Sequence, residues 1–376
     1  MERREYLQIP GPTNIPPRIL KALASQPLDH RGEKFEELVS TCLGGLREIY
    51  RTKNDILLFP SSGSGILESV IVNLFSAGDT IVIASMGVFS ERMGLIAESH
   101  GLKVIRITKE WGKSVKATDV EKILKEDKDF LIKGVCLPQN ETATGVVNDI
   151  ESISKVINDL KHPALLIVDI VSSLGSYPFE NDKWKVDIAV GASQKGLMLP
   201  SGIGMVSISQ KAWDASEKST LPKWYWNYKA AKEKIEALRF TYTPPTSLMI
   251  GLVESIDMFR EEGLENIWSR HALMSMAVRA AAEGMGLGLL AEKGFESHTV
   301  TTIMIPEGIN DDEFFHLIEA KYGVVLGCGL QRLKGKVFRV GHMGTIDKLD
   351  IYAIMGAIEM SLYEMGYKVE LGSAAT

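Results

Sequence analysis

Residues whose types suggest chemistry fall in a few segments of the 376-residue chain. Lys195 stands in Val190-Gly-Ala-Ser-Gln-Lys-Gly-Leu-Met-Leu-Pro-Ser-Gly202, a run of small and apolar residues directly after a strand pattern. Lysine is rarely buried without a reason. Partial burial lowers its pKa, which suits a Schiff-base or general-base amine. A surface loop fits the same composition. Asp169 ends the apolar stretch that starts at Leu165. A carboxylate at the end of a buried strand needs a partner: a cationic ring nitrogen, a metal or an arginine, unless it only caps the next segment. Pro60-Ser-Ser-Gly-Ser-Gly-Ile-Leu-Glu68 follows a strand pattern and opens a helix. Its small residues let backbone N–H groups approach an anion, and the helix dipole favours phosphate. A plain tight turn fits too. Glu68 stands where the dinucleotide fingerprint needs its third glycine, so that motif fails. Arg339 lies in Lys336-Val-Phe-Arg-Val-Gly-His-Met-Gly344. Its planar fork suits a substrate carboxylate or a structural ion pair.

The order of these pieces says more than any one of them. An anion turn, a strand-end aspartate, a lysine shortly after it and a distal arginine match the requirements of pyridoxal 5'-phosphate. That cofactor needs a phosphate cradle, a carboxylate to keep the pyridine nitrogen protonated and a Schiff-base lysine. An amino-acid substrate then needs an arginine for its carboxylate. The histidines (His30, His100, His162, His271, His298, His316, His342) show no metal-site spacing, so no metal is expected. Neither a GxSxG elbow nor a GxxxxGK[ST] loop occurs.

The elements that must position these groups alternate. Strand patterns at 56–60, 80–84, 103–107, 132–137, 164–169, 187–190 and 204–207 are separated by helical patterns at 66–75, 92–99, 120–124 and 150–160. Short, wholly apolar strands mean a sheet buried on both faces. The expected fold is α/β, with a mostly parallel seven-stranded sheet in a large domain. Ligands then bind beyond the carboxyl ends of the strands. After about residue 245 the pattern becomes long helical material at 252–285. Strand, helix, strand and helix follow at 300–305, 311–320, 336–340 and 349–362, a smaller α+β domain. The expected division is an N-terminal segment 1–20 at the active site, a large cofactor-binding domain 21–260 and a small domain 261–376. No low-complexity linker separates the halves, so they should share a broad interface.

Composition narrows the classes. Net charge is −6, 45% of residues are apolar and 24% are charged. That is an ordinary globular balance. It argues against disorder and against an electrostatic grip on nucleic acid or anionic membrane. No apolar run is long enough to span a bilayer, and the charged start Met1 to Glu5 does not read as a signal peptide. Cys42, Cys136 and Cys328 form no CxxC and no even set, which points to a reducing, cytoplasmic setting.

The chain resembles the class V aminotransferases of fold type I, and is most similar to the serine–glyoxylate and alanine–glyoxylate group. The segments that carry the resemblance are 10–17, 29–32, 61–65, 140–145 (Asn-Glu-Thr-Ala-Thr-Gly), 169–175, 193–200 (Ser-Gln-Lys-Gly-Leu-Met-Leu-Pro), 243–248 and 338–344. They follow the family order and cover essentially the whole chain. The resemblance implies that Lys195 carries the cofactor as a Schiff base and moves the substrate's α-proton, and that Asp169 pairs with the ring nitrogen. Ser62, Gly63 and Ser64 would bind the phosphate with Gln194 beside them. Phe89 would stack on the ring, where many relatives have Trp, and Val171 would pack on its other face. Thr142 would reach the phenolic oxygen, Arg339 the α-carboxylate, and Gly11 would line the substrate pocket. Thr243 would reach the phosphate of a neighbouring subunit, so a homodimer with shared sites is implied. Phe240 falls where some relatives carry a partner-derived tyrosine; Phe cannot donate, and Tyr242 is the substitute at hand.

The implied reaction moves an amino group from serine or alanine to glyoxylate or a similar 2-oxo acid. Aspartate–glyoxylate and pyridoxamine–pyruvate aminotransferases are the alternatives on the same fold. The intact Ser62-Gly-Ser64 cradle favours a resident phosphate over free pyridoxamine. Cysteine desulfurases need a thiol on a flexible late loop, and Cys328 is expected to be structural and buried instead. A nicotinamide-dependent dehydrogenase conflicts with the failed fingerprint and with Lys195. A non-catalytic scaffold conflicts with retention of both Lys195 and Asp169.

Overall fold

The computed structural model describes residues 5–375. Met1 to Arg4, part of the start read above as no signal peptide, lie outside the described residues, as does Thr376. The strands are β1 (Tyr6–Gln8), β2 (Asp55–Ser61), β3 (Thr80–Ser85), β4 (Lys103–Thr108), β5 (Ile132–Pro138), β6 (Asn140–Glu141), β7 (Val146–Val147), β8 (Leu165–Asp169), β9 (Ile188–Ala192), β10 (Gly202–Ile208), β11 (Val300–Met304), β12 (Val324–Cys328) and β13 (Val337–Gly341). The helices are α1 (Pro17–Leu23), α2 (Glu33–Tyr50), α3 (Gly63–Leu74), α4 (Val88–Ser99), α5 (Ala117–Glu126), α6 (Ile150–Asp159), α7 (Gln210–Ser216), α8 (Tyr228–Glu236), α9 (Thr246–Glu262), α10 (Leu264–Gly284), α11 (Asp311–Leu317) and α12 (Lys348–Glu364).

The large sheet has seven strands in the order β2-β10-β9-β8-β5-β3-β4. Strand β10 runs antiparallel to both β2 and β9, and the other pairs are parallel. The expected architecture is therefore present. Strands β8 and β9 are apolar along almost their whole length because helices cover both faces. Helix α6 shows how the covering layer forms. Asp149 caps it by accepting from Ser152 N, and Ile150, Ile153 and Ile157 form its buried stripe. Each buried isoleucine contributes about 1.5–3 kcal/mol.

A second sheet, β1-β12-β13-β11, carries the C-terminal part. Strands β1 and β12 escaped the sequence reading. β1 is only three residues long, and its pairing with β12 joins positions more than 300 residues apart. The long helical stretch is two helices, because Gly263 between them has φ +84°, a conformation open mainly to glycine. Two apolar cores meet along α10: Ile267 packs in the first and Met274 in the second.

Candidate active site

Strands β5, β8 and β9 end on the same side of the sheet, and the candidate residues sit just beyond those ends. Lys195 lies in the tight turn after β9. Ser193 Oγ donates to Pro200 O (2.7 Å) and accepts from Ile203 N (3.2 Å), and Met198 N donates to Lys195 O (2.8 Å). Gly196 is required there, since a Cβ would collide with the carbonyl of Leu174. Asp169 closes β8, and its Oδ1 accepts from Val171 N (2.8 Å).

The turn expected to hold an anion follows β2 and opens α3. Ser62 is the N-cap of α3 and accepts from Gly65 N (3.4 Å). The N–H groups of Gly63 and Ser64, at the helix start, have no intrahelical partner, which leaves them for an anion.

A cavity of about 810 Å³ collects these groups. Gly11, Ser62, Gly63, Ser64, Phe89, Thr142, Asp169, Val171, Gln194 and Lys195 all line it. Arg339 stands beside it, buried, donating from Nη1 to Thr142 O (3.2 Å) and from Nε to Cys328 O (3.0 Å). Thr243 is exposed and does not line this cavity. Tyr242 stacks against Trp224 and Tyr225, and its hydroxyl donates to Trp224 O (2.7 Å). Phe240 packs edge-on against Phe35. Cys328 differs from expectation: it is exposed, not buried. It ends a strand and faces Phe338 across the ladder, so it is not held on a free loop.

The N-terminal segment forms the opposite wall through Leu7, Gly11 to Ile15 and Leu20. Thr13 N donates to Gln194 O (3.2 Å) and Thr13 Oγ1 to Lys195 O (3.0 Å). Lys195 Nζ donates to Pro10 O. Gly11 has φ +100°, and a Cβ there would lie 2.5 Å from the lysine side chain. Only glycine meets both constraints.

Burial shapes the electrostatics. Desolvation pulls Lys195 down to about 8, with Arg339 and Arg92 adding to the fall and Asp169 opposing it. Desolvation pushes Asp169 up to about 6, Glu141 adds to the rise, and the Val171 N–H, Arg92 and Lys195 oppose it. Near neutral pH the aspartate is therefore an anion, and the amine is partly free of its proton. Burial lowers the Arg339 pKa.

Pyridoxal phosphate can be tested against this site. Gln194 Oε1 and Asn140 Oδ1 are buried without a hydrogen-bond partner, in residues that line the cavity. An amine, a carboxylate, an open helix start and two flanking apolar side chains face one space of sufficient size. The residues fit the group.

Several lining or supporting residues were not read from sequence. Glu141 is buried, and its carboxylate accepts from Phe89 N (3.1 Å), Ser90 N (2.8 Å) and Ala143 N (3.0 Å). It caps α4, whose N-cap Gly87 has no side chain to do so. Burial raises its pKa, and these N–H donors oppose the rise. Asn140 and Ser172 line the cavity and bond each other (2.8 Å). Arg92 also lines it. The sequence pattern places the helix start at Arg92, whereas α4 starts at Val88, which puts Phe89 and Arg92 at i, i+3 on one face.

A lysine amine and a strand-end carboxylate facing one cavity define an α/β enzyme of the kind that works on amino and carbonyl groups. The chain matches the family described as "Aminotransferase class-V" over residues 5–345. A serine–glyoxylate aminotransferase of Methylorubrum extorquens is 41% identical, over 98% of this chain and 94% of that protein. An L-aspartate–glyoxylate aminotransferase of Paracoccus denitrificans is 39% identical, over 99% of this chain and 95% of that one. The solved ureidoglycine–glyoxylate aminotransferase of Bacillus subtilis has a TM-score of 0.94 at 26% identity, covering 100% of this chain and 97% of that one. The chain belongs to the class-V aminotransferases and is a transaminase.

Proposed function

We propose that this transaminase holds pyridoxal 5'-phosphate and moves an amino group from a small L-amino acid, serine or alanine, to glyoxylate in two half-reactions. The observation that carries the reading is the convergence of Lys195, Asp169 and the start of α3 on one cavity. Glyoxylate is favoured because relatives spanning nearly the whole chain bear it in their names. Aspartate is the second donor reading, supported by the Paracoccus relative at almost the same identity.

When bound, the cofactor supplies a cationic aromatic ring that accepts electron density from the substrate's α-carbon. The roles of this chain's residues follow from their placing. The N–H groups of Gly63 and Ser64, with the Ser62 and Ser64 hydroxyls and Gln194, would hold the phosphate. Phe89 and Val171 would flank the ring, and Thr142 would sit at its phenolic oxygen. Asp169, ionised near neutral pH, would keep the ring nitrogen protonated. Lys195 Nζ would take the α-proton of the donor as base and later give it back as acid. Its lowered pKa suits both directions near neutrality. Arg339 would fix the α-carboxylate, and Gly11 would leave room for a small substrate side chain. The N-terminal segment would exclude water from the lysine.

We further infer residues 21–260 as the cofactor-binding domain, 261–376 as the small domain and 1–20 as a segment completing the site. The working unit would be a cytoplasmic homodimer. Thr243, exposed and away from its own cavity, would serve the partner's phosphate site. Among the described residues no helix is long and apolar enough to cross a membrane.

The test is an absorbance panel without acceptor. Serine, alanine, aspartate and pyridoxamine are mixed separately with the yellow enzyme. Bleaching by serine or alanine, reversed by glyoxylate, is the expected result. Bleaching by aspartate alone selects the second reading. A colourless protein active only with pyridoxamine and pyruvate overturns the resident cofactor.

A further inference from the structure

Arg92 stands at the cavity wall. None of the ion pairs among the described residues includes it. Its neighbour Glu91 pairs with Arg106 instead (3.2 Å). The Arg92 Nη1 donates to Ser64 Oγ (2.9 Å), and the guanidinium lies 4.9 Å from the centre of the Phe89 ring. Its charge reaches both Asp169 and Lys195 and lowers the pKa of each.

We propose that Arg92 is a further positioning residue for the cofactor's phosphate, acting through Ser64; this rests on the pyridoxal phosphate reading above. A half-buried guanidinium beside an anion turn calls for an anion at contact distance, and none of the ion pairs among the described residues provides one. Ser64 Oγ accepts a hydrogen bond from Arg92 Nη1, so its own O–H is left to donate outward. Hydrogen bonds in such a chain strengthen one another. The phosphate dianion would then meet the helix start, a polarised hydroxyl and a full positive charge close behind it. The same guanidinium lies against Phe89, which couples the phosphate end of the site to the ring-stacking wall.

The full-length chain is stripped and titrated with pyridoxal phosphate and, separately, with pyridoxal, which lacks the phosphate. Intrinsic fluorescence and absorbance give the dissociation constants. Arg92→Gln should weaken pyridoxal phosphate binding about 10- to 100-fold, the range for a lost charge-assisted contact, and leave pyridoxal within about two-fold. Arg92→Lys, which keeps the charge but not the planar fork, should fall between. Ser64→Ala combined with Arg92→Gln should cost less than the sum of the single changes, because the two act as one unit. Thermal protection by inorganic phosphate should drop in the same variants. Equal losses for both ligands would overturn the proposal in favour of a role at Phe89 or in folding. An unchanged affinity with a defect confined to aspartate would overturn it in favour of a substrate contact. If the unaltered chain binds neither ligand, the cofactor reading itself falls, a result distinct from a normal wild type with an unaffected Arg92→Gln.

Discussion

The two walls of the cavity are built on different principles. One consists of strand ends and one helix start at the large sheet: Asp169 at the end of β8, Lys195 after β9 and Ser62 to Ser64 after β2. Each sits within a few residues of a buried strand, and local hydrogen bonds lock its turn. The other wall consists of segments far apart in sequence. The N-terminal residues 7–15 reach it from one side, and β13 brings Arg339 to its edge from the other. Thr13 and Arg339 tie this wall to the first with a few bonds to carbonyls. The difference teaches a division of labour. The rigid wall should set the chemistry, and the assembled wall should set which substrate is held and how tightly.

The largest effect that tests this division is Lys195→Ala. Transamination should fall about four orders of magnitude, the upper range for loss of a general acid–base group, with the far-ultraviolet circular dichroism unchanged. Residual turnover above background would remove Lys195 from the chemistry. Asp169→Asn comes next, with kcat down about 10²- to 10³-fold, as for a lost electrostatic stabiliser. Because Asp169 raises the Lys195 pKa, the acid limb of the pH–rate profile should also move to lower pH.

Arg339→Gln probes the other wall. It should lower kcat/KM for the 2-oxo acid about 10- to 100-fold, as for a lost charge-assisted hydrogen bond, mainly through KM. If kcat fell as far as in Asp169→Asn, the two walls would not differ in role.

A further effect concerns what holds the assembled wall, and it bears on stability, not on catalysis. His342 is buried behind β13, with Nε2 against Thr301 Oγ1 (2.9 Å) and Nδ1 donating to His298 O (2.9 Å). His271 Nε2 accepts from Gly344 N (3.2 Å). Desolvation pulls His271 and His342 down to about 3 and His298 to about 4, against about 6.5 in an unfolded chain. The unfolded chain thus binds more protons between those values and 6.5. The stability linked to these groups is full above about pH 6.5 and declines as pH falls toward 3. Each contributes up to about 1.4 kcal/mol per pH unit in that window. Thermal melts from pH 7 to 4.5 should show the decline, and His342→Asn should flatten it. A flat wild-type curve would mean these imidazoles titrate normally.

Much of the rigid wall was legible in the sequence, because its signals are local. A buried parallel strand reads as an apolar run, and the chemistry follows it within a few residues, as Val168-Asp169 and Ala192 to Lys195 do. The expected strand boundaries lie within a few residues of those observed. Glu141 was carried only inside a motif, since nothing local reveals that its carboxylate caps a helix starting more than fifty residues earlier. Arg92 is not legible as a site residue, because the first turn of α4 follows Gly87, which offers no capping side chain to mark the helix start.

By itself the sequence determined the α/β class, the seven strands of the large sheet and the candidate amine, carboxylate and anion turn. Hydrophobic period and strand-end chemistry are properties of neighbouring residues. Only the tertiary structure decided that β1 pairs with β12, that Gly11 lies against Lys195, that Arg339 stands beside the cavity and that Arg92 meets Ser64. Those contacts join residues with little or no local relation in the chain. They exist only once the chain has folded and brought these elements within hydrogen-bond reach.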